Sequence, residues 1–383
     1  MSKNQVSYRI TSLDLLRGIA AIIVVIWHYQ FYFNSKPLLG LLFPFFTDGQ
    51  LAVDTFFVIS GFVLSYAHGN RLVIDGGLRR FLIKRIARLY PLHLASLLVT
   101  ALLFLLVYVK TGKPAYYVND AFHFVLNLTL TQYIGLQDSY SFNGPSWSIS
   151  TEFWVNVLYG VIMAMWGRFI VPISLLLIVA ASAFLLLVIG QWSVGPKYDG
   201  WIESELLRTI ADFFAGVMVH YAWSRYGRDN VLGTIALLLG AAVTLCAMMV
   251  GHTHAVIEML ASVGGGSLLV WGCSCSRGAK VLAKTQPGRW IGDISYSIYL
   301  WHFPAAMVLS LLNVDVLIGT GPGFLCLYLV FILTVSHFSY VYLENPARLW
   351  VTRIALPDTP RTHLLVEKTS TPAVTPTPNE GAS

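Results

Sequence analysis

The first apolar run of the chain contains "LDLLRGIAAIIVVIWHY", Leu13 to Tyr29, in which Arg17 and His28 stand eleven residues apart. At about 100° per residue that separation is almost three full turns, so both side chains share one helix face, roughly 16 Å apart along the axis. A charge at mid-bilayer depth costs at least about 2.5 kcal/mol, so such a face looks into a cavity or onto other helices rather than lipid. An arginine there can grip an anion, and an imidazole can move a proton near neutral pH. The plainer reading is that Arg17 snorkels to the membrane surface and His28 hydrogen-bonds a neighbouring helix. Asp14, three residues before Arg17, is placed to pair with it.

Other stretches carry chemistry at helical spacing. In "RRFLIKRIARLYPLH", Arg85 and Arg88 lie three apart on one face, where two guanidiniums can hold a phosphate through paired donors. The positive-inside rule by itself also accounts for this charge. In "NGPSWSISTEFWVN", Pro145 marks a helix start, and Ser148 and Glu152 face the same way four residues apart. A glutamate inside a span needs a partner or a function, and so does Asp54 in "DGQLAVDTFFVISGFVLS". Ser60 and Gly61 read as helix packing. In "DISYSIYLWHFP", His302 lies at a depth similar to His28, and Tyr296 and Tyr299 read as a belt or core pair. Arg208 with Asp212 is expected as an i,i+4 pair, and Glu258 as structurally paired. Trp147 and Trp154 fit interface anchors, and His93 a packing histidine. The ten histidines form no compact ligand pattern, so no metal is expected.

These residues need a scaffold within the bilayer. The 383 residues are 56% hydrophobic and 11% charged, with mean hydropathy +0.65. A soluble domain is about a quarter charged, so the class is an all-α polytopic membrane bundle. Its net charge of +6 reads as loop charge rather than nucleic-acid binding. Ten runs are long enough to span: 12–33, 48–68, 90–109, 146–166, 169–190, 203–224, 231–250, 255–274, 290–312 and 322–342. The segment 119–136 is shorter and more polar. Basic loops at 69–89, 225–228, 277–289 and after the last span fall on one side only if 119–136 is re-entrant or interfacial. Both termini are then cytoplasmic. The cysteines, Cys246, Cys273, Cys275 and Cys326, read as reduced packing residues. The first run carries Arg17 and no small-x-small site, so it is expected to remain as the first span. Residues 1–355 form the transmembrane unit, and 356–383, rich in proline and threonine, are expected to be disordered with no soluble domain fused.

The stretch around Arg17 and His28 resembles the first helix of the acyltransferase family 3 membrane proteins, which modify bacterial glycans and some secondary metabolites. The resemblance continues through "DTFFVISGF", "KRIARLYP", "SWSISTEFW", "ISYSIYLWH" and "ENPAR", spread over almost the whole chain. It implies His28 as the essential histidine, Arg17 as its partner, and Arg85 and Arg88 as the paired arginines of the cytoplasmic loop. It implies further that Glu152 is the acidic position after "WS" and His302 the histidine closing the ninth-helix motif. The donor so implied is acyl-CoA, most often acetyl-CoA. The acceptor is a glycan or lipid-linked saccharide, in the cytoplasmic membrane of a bacterium. One branch of the family carries an extracytoplasmic esterase-like domain, which this chain is expected to lack. His28 would act as general base, with an acyl-His28 relay as a variant, and Ser148, Trp147 or a ninth-helix tyrosine would meet the oxyanion. A macrolide or other small hydroxylated acceptor stands as an alternative. A proton-coupled secondary transporter using His28, Asp54, Glu152 and His302 is the rival from another class, disfavoured by the absence of internal repeats.

Overall fold

The computed structural model describes residues 9–68, 77–113, 118–193, 203–227 and 231–357, all helices and connections with no strand among them. Helix α1 (Thr11–Phe33) ends where Asn34 turns left-handed at φ 46°. A ten-residue helix the sequence reading did not anticipate, α2 (Leu39–Asp48), leads into α3 (Leu51–His68). Helix α4 (Gly77–Thr111) joins the basic segment and the third expected span in one 35-residue rod with Pro91 inside it. That length is about 52 Å, so Arg85 and Arg88 sit on an extension beyond a hydrocarbon core of about 30 Å.

The segment 119–136 holds only α5 (Ala121–Leu128), whose N-cap Asp120 accepts from the His123 backbone N–H. Eight residues rise about 12 Å, far short of a bilayer. The irregular chain after α5 is fastened by neighbours. His93 Nε2 lies 2.8 Å from the Asn127 carbonyl, and Trp154 Nε1 donates to the Leu130 carbonyl at 2.8 Å. Both residues thus hold this segment.

Helix α6 (Trp147–Trp166) opens from a 3₁₀ turn at Pro145 and is followed by α7 (Ile170–Ala183), which widens to π-helical turns ending at Gly190. Then come α8 (Ser204–Tyr226) and α9 (Val231–Val250). Helices α10 (Ala255–Met259) and α11 (Gly266–Cys275) are joined through a π-helical stretch. Two short helices, α12 (Arg277–Lys284) and α13 (Gln286–Asp293), precede α14 (Ser295–Leu311). The ninth expected span is therefore not straight: α13 and α14 meet at 61°. After α15 (Val314–Ile318), α16 (Pro322–Ser339) runs through a π-helical turn into α17 (Asn345–Ala355).

All ten expected spans are helical. By length and apolar composition seven continuous runs are able to cross a membrane, eight if the bent α13–α14 pair is one span. The difference from ten is that α6 and α7 form one run, and that α8 carries Glu205, Arg208 and Asp212. Helix α3 is the hub: 72% of it is buried, against 28% for α9. It packs most closely on α8, because a Cβ at Gly61 would lie 1.8 Å from the Phe213 carbonyl oxygen and one at Gly216 would lie 2.0 Å from that of Val58. Of the basic-loop residues, Arg71, Arg228 and Arg361 lie outside the described residues, as does the tail beyond 357.

Candidate active site

Five helices, α1, α3, α4, α6 and α14, bring the chemical residues together. At one end of α1, Asp14 accepts from Arg17 at 2.9 Å and from Arg9 at 2.7 Å, and Arg9 also pairs with Asp293 on α13. The expected Asp14–Arg17 pair therefore forms and is anchored to α13. Arg17 interacts electrostatically with Arg88 and Glu152, and Arg85 with Arg88, Glu152, Arg348 and Arg17. Arg85 has neither a hydrogen bond nor an ion pair among the described residues, and its Nε is buried without a partner. The Phe81 ring lies 5.9 Å from its guanidinium carbon. Arg85 is half-buried, and a buried donor left unmet is costly, so an anion that meets it repays that cost.

Glu152 occupies the middle of the site. Its Oε1 accepts from Ser60 Oγ at 2.7 Å. Ser60, read from sequence as packing, is thus the residue that orients the carboxylate, while Gly61 does the packing. One turn back along α6, Ser148 is buried and its hydroxyl lies 2.7 Å from the Tyr299 hydroxyl. Tyr299 lies 2.8 Å and Ser148 3.4 Å from the Pro145 carbonyl oxygen, so the two hydroxyls share that acceptor and either one can donate to the other. The third candidate, Trp147, is buried against Phe57 and Tyr133 and carries the Arg208 guanidinium over its ring at 5.3 Å. It is a core residue, not an interface anchor. Tyr296 is also a core residue, donating to the Leu89 carbonyl at 2.7 Å, next to Arg88.

At the other end, His28 turns to α14 rather than lipid. Its ring centroid is 4.9 Å from that of fully buried His302, and Tyr32 stacks on it at 5.6 Å. His28 Nδ1 lies 2.9 Å from the Val24 carbonyl, and His302 Nδ1 lies 2.5 Å from that of Tyr299. A carbonyl only accepts, so in each ring Nδ1 carries the proton and Nε2 keeps a basic lone pair. The His302 Nε2 is buried without a partner. Two imidazoles thus stand side by side, each with Nε2 as its proton-accepting atom.

A second polar cluster lies behind the site. Arg208 pairs with Asp54 at 3.1 Å and Glu205 at 2.9 Å, and Asp212 instead accepts from Ser262 at 2.5 Å. The expected Arg208–Asp212 pair is thus replaced. Close approach of α3 to α8 puts Asp54 in reach of the fork, and Glu205 takes the i−3 position.

A chain with this many apolar helices is a multi-pass membrane protein. The family model described as "Acyltransferase domain" matches residues 10–341, and the chain belongs to that acyltransferase family. It is 32% identical over 197 residues to "Protein 2 in picA locus" of Rhizobium radiobacter, covering 47% of this chain and 94% of that protein. It is 28% identical over 315 residues to the exopolysaccharide production protein ExoZ of Rhizobium meliloti, covering 79% and 90%. To the putative peptidoglycan O-acetyltransferase YrhL of Bacillus subtilis it is 27% identical over 379 residues, covering 90% of this chain and 56% of YrhL. The chain thus spans little more than half the length of that relative. No solved structure matches.

Proposed function

We propose that this protein is an O-acetyltransferase of the cytoplasmic membrane that moves an acetyl group from acetyl-CoA to a hydroxyl of an exported or surface polysaccharide. The observation that carries the reading is the unmet Arg85 guanidinium, grouped with Arg17 and Arg88 at one end of a site whose other end holds His28 and His302. The basic end would face the cytoplasm, with both termini there, in accord with the positive-inside rule. Arg85 and Arg88 would hold the coenzyme diphosphate while the thioester extends toward the histidines. His28 Nε2 would take the proton of the acceptor hydroxyl as its oxygen attacks the thioester carbonyl. The tetrahedral intermediate then collapses, the C–S bond breaks, and the thiolate leaves with the proton held on the imidazole. Glu152 would act from the side by balancing the arginines. The names of ExoZ and YrhL support the polysaccharide as acceptor class.

The test is transfer of labelled acetyl from acetyl-CoA by purified protein in detergent, which needs no gradient. Mass spectrometry of the surface polysaccharides with and without the gene follows the product. An acetyl mass difference supports the reading. Unchanged polysaccharide with acetylation of a small hydroxylated metabolite instead overturns the acceptor assignment.

A further inference from the structure

The "ENPAR" segment quoted from the sequence has no role in the site as described so far, yet the fold returns it there. The π-helical turn Tyr340–Glu344 and α17 both pack against α4, the helix that carries Arg85 and Arg88. Glu344 is 3% exposed and accepts from Ser297 of α14 at 2.7 Å, so the start of α17 is pinned to two site helices. Arg348, one turn further on and half-buried, donates from Nη2 to Asn345 Oδ1 at 3.0 Å. That bond to its own helix aims the guanidinium. Arg348 interacts electrostatically with Arg85 and with Glu344, and Glu344 with Arg88.

Three arginines from two separate helices are thus gathered beside Glu152 and Glu344. Like charges at close quarters oppose folding unless something compensates. Glu152 and Glu344 supply compensating charge, and the Arg85 Nε is buried without a partner among the described residues. Coenzyme A carries phosphate in two places: a diphosphate, and a monophosphate on the ribose. Arginines one turn apart on one helix suit a diphosphate, whose two phosphorus centres share an oxygen. The ribose phosphate needs a cation from a different direction, and α17 supplies one.

We propose that Arg348 is a donor-specificity residue that binds the ribose 3′-phosphate of coenzyme A beside the Arg85–Arg88 diphosphate site, with Glu344 and Asn345 as its positioning residues. The inference rests on acyl-CoA being the donor. It accounts for a helix that continues past the last apolar segment and folds back on α4.

The experiment compares binding of CoA and dephospho-CoA, which lacks the ribose phosphate, to the purified full-length protein by calorimetry. The expected result is that wild type prefers CoA by about tenfold or more, as one charge-assisted phosphate contact provides. Arg348→Ala should weaken CoA by that factor and leave dephospho-CoA unchanged, so the preference disappears. Arg85→Ala should weaken both ligands. Equal loss of both ligands in Arg348→Ala, or no loss of either, overturns the proposal. Should Arg348→Ala fail to fold, the wild-type comparison decides by itself: equal affinity for the two ligands overturns the proposal. Arg348→Lys, which keeps the charge, should then retain part of the preference. Wild-type protein that binds neither ligand overturns the acyl-CoA reading, and this inference with it.

Discussion

His28 on α1 and His302 on α14 face each other at 4.9 Å between ring centroids, each with Nδ1 tied to a carbonyl of its own helix. The carbonyls fix both tautomers, so the pair offers Nε2 lone pairs to whatever enters between α1 and α14. Substitution His28→Ala should lower acetyl transfer by about 10²–10⁴-fold, the usual worth of a positioned base. The protein should still elute as a folded species with an unchanged thermal midpoint, because His28 is only half-buried. Transfer rates and thermal unfolding in detergent check both halves, and near-normal transfer would remove His28 from the chemistry.

Arg85 separates binding from stability. Because its Nε is buried without a partner among the described residues and Arg88, Arg348 and Arg17 repel it, Arg85→Ala relieves like-charge repulsion and should leave the unfolding midpoint the same or higher. Donor affinity should fall about tenfold or more, and the wild-type affinity should weaken with salt. A fall in midpoint together with unchanged donor binding would mean that Arg85 is structural.

Glu152 is held by Ser60 and sits among Arg17, Arg85 and Arg88. Glu152→Gln keeps the shape and deletes the counter-charge. It should cost about tenfold or more in kcat/KM for acetyl-CoA. Ser60→Ala, which removes one donor and keeps the counter-charge, should cost less in kcat/KM than Glu152→Gln. Steady-state kinetics of both variants test that order.

The α3–α8 contact sets the geometry of the buried charges. Gly61→Ala puts a methyl within 1.8 Å of the Phe213 carbonyl oxygen, where only backbone movement relieves the clash. The expected cost is about 3 kcal/mol or more, seen as loss of folded protein. Gly40→Ala, with nothing within 4 Å, is the matched control and should be silent.

His252, in the connection after α9, lies 3.5 Å from both Asp48 and Glu258. The hydrogen bond to Glu258, aided by the charge of Asp48 and opposed by burial and by Arg208, raises its pKa above the usual imidazole value. A raised pKa in the fold means that the stabilisation is complete below about pH 6.5, the unfolded value, and is lost as pH rises through the folded value. The unfolding midpoint should therefore fall on going from about pH 6 to pH 8. His252→Gln should flatten this part of the profile.

Several of these features were legible before any fold was known. The intramembrane arginine and histidine on one face of α1, the Arg85–Arg88 pair, the Asp14–Arg17 pair and the shortness of 119–136 all follow from spacing within one segment. Partners across helices were not legible. Asp54 rather than Asp212 meets Arg208, and Ser60 orients Glu152, because helix rotation and the Gly61–Gly216 approach decide which faces meet. The bend between α13 and α14 and the return of α17 to α4 were also hidden, since neither leaves a periodic signal.

By its residues alone the chain determined that it lives in a membrane, which family it belongs to, and which polar groups cannot face lipid. Hydropathy and helical period act over neighbouring residues and need no knowledge of the rest. Only the tertiary structure decided that His28 faces His302, that the Arg85 Nε is buried without a partner among the described residues, and that Arg348 returns to its side. Those outcomes depend on interhelical distances and rotations, which arise only when all the helices pack at once.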